Sequence, residues 1–226
     1  NFKYIKFNGD ITKLKEVESI NFNLEKEIQT IVENNTGELF QIKLIKSEFS
    51  VGGYRIDSLC FDEESNSFVI IEYKKDRSYS VIDQGYSYLS TMLNNKADFF
   101  LELIENSDLK IKRDQIDWSQ SRIIFISTAF SSHQKNSVNF KDVPFQLWEI
   151  SKFSSDLISF NQITSTSKES ITNIGGNNGS VISDVGQEIE VYNEDIHLNR
   201  VSTKVKDLYL ELKERISSWD DINFNY

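Results

Sequence analysis

Two stretches decide how this chain is read: Gly52-Gly53-Tyr54-Arg55-Ile56-Asp57-Ser58-Leu59 and Phe68-Val69-Ile70-Ile71-Glu72-Tyr73-Lys74-Lys75. The second is apolar on both faces, as a central strand should be, yet it runs straight into a carboxylate and an ammonium. Alternation puts Phe68, Ile70, Glu72 and Lys74 on one side and Val69, Ile71 and Tyr73 on the other. Glu72 and Lys74 therefore project together from a strand whose earlier residues are buried. A half-buried charge is costly unless something compensates it. Either the two charges pair with each other, or a metal ion draws in carboxylates and supplies the positive charge. Asp57 lies one hairpin upstream, on a strand expected beside this one, and Gly52-Gly53 suits a tight bend before it. Pairing of the two strands would let Asp57 and Glu72 converge on one hard divalent cation, which takes oxygen ligands and keeps several waters.

The surrounding pattern predicts the rest of the fold. Leu24, Ile28, Ile31 and Val32 recur at helical spacing, and Asn34-Asn35-Thr36-Gly37 is the expected stop. Strands are predicted over Leu39–Phe49, Tyr54–Phe61 and Phe68–Lys74, the last two joined by the polar Asp62–Ser67 connection. Ser80, with Asp83 three residues on, reads as an N-cap for a helix reaching about Leu93. A buried strand at Arg122–Ser127, a helix around Ser131–Val138 and a strand at Phe145–Ile150 follow. This is an α/β layout with a mixed sheet. Residues 165–195 are polar and Gly/Asn-rich, which predicts a flexible linker, and residues 1–164 then form one domain. Within 196–226, Val201, Val205, Leu208, Leu212 and Ile216 return at helical spacing, predicting a helix over 197–219.

Composition narrows the setting. The 226 residues are 38% hydrophobic and 27% charged, which suits a globular protein with a sizeable core. No apolar run is long enough to span a bilayer, and Cys60 is the only cysteine, which excludes an intramolecular disulfide framework. A cytoplasmic setting without membrane attachment is expected. The chain opens on Asn1, so further residues are expected ahead of it. A net charge of −10 argues against a generic nucleic-acid coat protein. The acidity is uneven, however: residues 165–226 hold 11 of the 35 acids and 6 of the 25 bases. His133 and His197 lack the partners a zinc site needs. Trp118 and Trp148 read as packing residues.

Asp57 followed by Glu72-Tyr73-Lys74 at the end of an apolar strand resembles the PD-(D/E)XK nuclease superfamily, with Ile56 where the motif's name has proline. Gln84 and Tyr88, four apart on the predicted helix, resemble the QxxxY element of its RecB-like branch. Residues 24–163, including SEFSVGGYRIDSL and VIDQGYSYL, look like bacterial proteins with an uncharacterised nuclease-like domain, and 196–226 looks like the start of a truncated second domain.

The resemblance implies a restriction-endonuclease-like mixed sheet flanked by helices, in αβββαβ order, with a C-terminal helical extension. It also implies an Mg²⁺- or Mn²⁺-dependent DNA endonuclease serving restriction, defence or repair. Asp57, Glu72 and the Tyr73 carbonyl would hold the metal, Lys74 would orient the attacking water, and Glu25 and Gln84 would support that network. Glu27 competes with Glu25 for the helix position. Lys75, Arg77 and Tyr88 would meet the substrate, and a homodimer is a natural way to cut two strands. An RNA nuclease, or a nuclease-like fold kept as a binding module without turnover, stands as the alternative.

Overall fold

The computed structural model describes residues 5–6, 15–74, 80–140, 142–154, 156–167, 169, 181–191 and 194–217. Strands β1 (Ile5–Lys6) and β2 (Lys15–Glu16) form a separate two-stranded ribbon. The remaining strands make one mixed sheet. They are β3 (Ser19–Ile20), β4 (Lys43–Val51), β5 (Tyr54–Asp62), β6 (Ser67–Lys74), β7 (Arg122–Ser127), β8 (Phe145–Phe153) and β9 (Leu157–Ile163). Their spatial order is β3-β8-β7-β6-β5-β4, with β9 also paired to β8. The β6–β7 and β7–β8 pairs are parallel and the others antiparallel.

Helices cover both faces of this sheet. Helix α1 (Glu25–Glu33) buries Ile28 and Val32 on the face that carries Val69, Ile71 and Tyr73. Its first turn holds Glu25 and Glu27, where carboxylates suit the positive end of the helix dipole. The opposite face, with Phe68 and Ile70, is covered by α3 (Val81–Asn94) and α4 (Lys96–Asn106). Ser80 caps α3 by accepting the Asp83 N–H, as the sequence predicts. Gly85 is required where α3 meets β8, because a Cβ there would stand 2.5 Å from the Phe145 ring. The fold is the expected mixed α/β sheet flanked by helices, with helix, three strands, helix and strand in the predicted order.

Several boundaries differ from expectation. Leu39 and Phe40 belong to a short helix, α2 (Thr36–Phe40), so β4 starts at Lys43. Gly37 lies inside α2, and the left-handed residue that ends α2 is Gln41. Two elements lie outside the expected pattern: strand β9, which pairs along the outer edge of β8, and helix α4. Helix α5 (Ser132–Ser137) falls where one was predicted.

Part of the predicted linker is ordered against the core. Helix α6 (Val181–Glu188) buries Val185, and Ile189 follows it into the same cluster as α3. The Glu190 N–H bonds the Ser119 carbonyl, and Lys96 meets Glu188 at 2.5 Å. Val181, Val185 and Ile189 are spaced by four, which gives the segment an apolar side despite the polar run before it. The helix predicted over 197–219 is two helices, α7 (Glu194–Asn199) and α8 (Thr203–Ser217), and none of α8's described side chains is buried. Among the described residues no helix is long and apolar enough to cross a membrane.

Candidate functional site

The site begins where two strands part. The β5–β6 ladder runs from Asp62–Ser67 to Ser58–Ile71 and ends there, while β6 continues beside β7 as far as Lys74–Ser127. The residues just past the last antiparallel rung are Asp57 and Glu72. Asp57 there uses its side chain, and its Oδ2 accepts the Tyr73 N–H at 3.0 Å. The carboxylate of one strand is thereby held against the peptide that follows Glu72.

Glu72 is only 4% exposed. Its Oε1 accepts from Lys74 Nζ at 2.8 Å and from Gln84 Nε2 at 2.7 Å. Gln84 Nε2 also lies 2.8 Å from the Tyr88 hydroxyl, which in turn donates to the Arg55 carbonyl at 3.2 Å. Tyr88, expected to meet the substrate, is 4% exposed and holds Gln84 through its hydroxyl. Glu72, Lys74 and Gln84 are brought together as the sequence predicts, because β6 alternation and the start of α3 point at one face of the sheet.

Burial pushes the Asp57 carboxyl up to about 7, and the nearby Glu72 charge adds to this. The Tyr73 N–H and Lys74 oppose the rise without cancelling it. Tyr88 is likewise pushed above the ordinary phenol range, first by burial and then by Glu72. Both shifts report a pocket with excess negative charge and little water. Glu72 Oε2 and Ser121 Oγ are the buried side-chain polar atoms that lack a hydrogen-bond partner among the described residues. An unpartnered buried carboxylate oxygen is a standing cost of roughly 1–3 kcal/mol or more.

Helix α1 supplies the opposite wall. Glu25 is exposed, and its charge reaches Asp57 as the weakest of the influences on that group. Glu27 is engaged elsewhere: Oε1 accepts Lys152 Nζ at 2.6 Å and Oε2 the Asn23 N–H at 3.2 Å. Of the two acids, Glu25 is the one whose field the site feels. Among the described residues no three His, Cys, Asp or Glu side chains gather closely enough to hold an ion, so Glu25 does not stand as a third ligand beside Asp57 and Glu72. The Tyr73 phenol turns to the other face, 3.0 Å from Ser58 Oγ, leaving its backbone at the site. Lys75 and Arg77 lie outside the described residues.

One participant escaped the sequence reading. Gln29 of α1 is buried, and its Nε2 contacts the Asp57 carbonyl at 3.3 Å, Ser47 Oγ at 3.2 Å and Glu33 Oε1 at 2.8 Å. Its signal was present: a polar residue between Ile28 and Val32, four after Glu25. The residues fit a divalent cation. Two carboxylates from adjoining strands, one with a buried oxygen that no donor satisfies, form a hard-oxygen donor set.

The chain matches no known family profile. It is 42% identical over 219 residues to an uncharacterized protein of Haemophilus influenzae, across 96% of this chain and 71% of that protein. Solved structures give weaker, partial likenesses. An EndoMS–dsDNA2 complex superposes with a TM-score of 0.38 at 17% identity, over 61% of this chain and 54% of that one. A repair endonuclease from Pyrococcus abyssi gives 0.36 at 13% identity, over 60% of each chain. Pyrococcus furiosus SfsA in complex with Ca²⁺ gives 0.32 at 15% identity, over 71% of this chain and 74% of that one. The first two likenesses span less than two thirds of the solved chains.

Proposed function

We propose that this chain, which belongs to the same family as the Haemophilus influenzae protein, is a divalent-cation-dependent DNA endonuclease of the PD-(D/E)XK type. The observation that carries the reading is the buried, unpartnered Glu72 Oε2, beside Lys74 and one strand from a second carboxylate that burial holds near neutrality. This arrangement leaves one oxygen free for a cation and fixes an ammonium next to it.

Asp57, Glu72 and the Tyr73 carbonyl would hold Mg²⁺ or Mn²⁺, which when bound supplies positive charge toward a phosphodiester and acidifies nearby water. Lys74, fixed 2.8 Å from Glu72, orients the attacking water and offsets charge that develops on the phosphate. Gln84 holds the Glu72 carboxylate in its rotamer, and Tyr88 holds Gln84. Glu25, whose charge reaches Asp57 from α1, would support the water network there. Lys75 and Arg77, next along the chain from Lys74, contact the substrate backbone.

The test is cleavage of duplex DNA with and without Mg²⁺ or Mn²⁺, in the native chain and in Glu72→Ala and Lys74→Ala. Both variants should lose divalent-dependent cleavage, and activity surviving in both removes the assignment. Calorimetric titration with Mn²⁺ separates the rival: a native chain that takes up no ion favours a binding module without turnover.

A further inference from the structure

Of the described residues whose φ is positive without being glycine, Gln41 ends a helix and Asn66 and Asp156 sit in turns. Glu48 is different. It lies in the interior of β4 with φ +56, where no turn requires it and where a side chain disfavours that conformation. The ladder to β5 skips at this point, pairing Ser47 with Ser58 and Phe49 with Ile56. Asp57 is the residue skipped on the other strand.

The kinked backbone sends the Glu48 carboxylate to two cations from different elements. Lys26 Nζ of α1 lies 3.2 Å from Oε1, and the Arg55 guanidinium of β5 bonds Oε2. Both cations remain more than half exposed, at 59% and 63%. Each is also tied to the site. Lys26 Nζ donates to Gln29 Oε1 at 3.2 Å, and Gln29 contacts the Asp57 carbonyl. The Arg55 carbonyl accepts from Tyr88, which supports Gln84 and through it Glu72. A hydrogen-bonded path therefore runs from Glu72 around to Asp57 by way of this cation pair. Exposed ion pairs contribute little to stability, so stability gives no reason for a disfavoured backbone that builds one.

We propose, resting on the reading of the site as a DNA endonuclease, that Lys26 and Arg55 form a clamp for the DNA phosphate backbone flanking the scissile bond, spaced by Glu48. In a chain of net charge −10, two exposed cations linked to the site through Gln29 and Tyr88 give the polyanion a local landing point. Glu48 offsets their mutual repulsion and sets their separation. Tyr54, on the same hairpin and 44% exposed, sits edge-on to Tyr88 and so fixes the strand that carries Arg55 against α3.

The experiment is anisotropy of labelled duplex DNA over a salt series, with Ca²⁺ replacing Mg²⁺, for the native chain, Lys26→Ala, Arg55→Ala, the double variant and Arg55→Lys. Each alanine should weaken binding about 5–10-fold and lower the slope of log affinity against log salt by about 0.9, with Arg55→Lys recovering the slope. Because both side chains are mostly exposed, the variants should melt as the native chain does. A double variant with native affinity and slope overturns the clamp while leaving the endonuclease reading in place. A native chain with no affinity for duplex DNA overturns that reading and the clamp with it.

Discussion

Replacing Asp57 by asparagine should stabilise the metal-free protein at mildly alkaline pH and, on the endonuclease reading, abolish divalent-dependent cleavage. The carboxyl's ordinary value of 3.8 rises to about 7 in the fold, chiefly through burial and then through the Glu72 charge. The native state thus binds a proton across that interval which the unfolded chain releases. Stability contributed by this group is intact below about pH 4, falls as pH rises toward 7, and is flat above. At 1.36 kcal/mol per pH unit the full loss is about 4 kcal/mol, and residual solvent contact at this half-buried group reduces it to about 2–3 kcal/mol. Asparagine removes the ionisation, and its Oδ1 can still accept the Tyr73 N–H that Asp57 Oδ2 takes at 3.0 Å. Urea unfolding in EDTA from about pH 4 to about pH 8 is the assay, since titrating groups remote from Asp57 are shared and cancel in the difference, which then reads Asp57 together with its coupling to Glu72. The curves should coincide within about 1 kcal/mol near pH 4 and diverge by about 2–3 kcal/mol near pH 8, the variant being the more stable. Parallel curves, or a variant weaker than the native chain at pH 8, would refute the picture of an electrostatically disfavoured carboxylate.

Gly85→Ala should destabilise by about 1–3 kcal/mol, because its Cβ would press into the Phe145 ring, itself packed between Tyr86 and Phe125. A thermal melt equal to the native one would show that α3 can retreat freely, and Gln84 with it. Tyr88→Phe removes the hydroxyl that joins Gln84 to the Arg55 carbonyl, so a loss of about 1 kcal/mol is expected by denaturation. On the endonuclease reading, the same change lowers cleavage at saturating DNA about tenfold, and unaltered cleavage would take Tyr88 out of the support for Glu72.

Much of this protein is local in origin and hence legible in the chain. Strand β6 is buried along its length except at Lys74, and its unbroken apolar run announces a central strand. The Ser80 cap and the four-residue spacing of Gln84 and Tyr88 place those side chains on one helix face before any packing is known. Alternation alone puts Glu72 and Lys74 together, and the residues found at the site are largely those the pattern selects.

Other features depend on contacts between distant segments. Leu39 and Phe40 have strand-like composition, yet they close a helix whose Phe40 ring packs edge-on to Trp148, more than a hundred residues away. The docking of α6 depends on Val185 and Ile189 finding the cluster on α3, which a polar linker composition conceals. The left-handed kink at Glu48, and the separation of Asp57 from the ladder, arise from how β4, β5 and α1 meet. Sequence by itself marked the candidates for chemistry and the elements that carry them, because periodicity and capping are properties of neighbours along the chain. Only the tertiary structure decided that Glu72 Oε2 is buried without a partner among the described residues, that Tyr88 is buried against Gln84, and that Lys26 and Arg55 meet at Glu48. Those outcomes turn on desolvation and on approach between elements, which no single segment encodes.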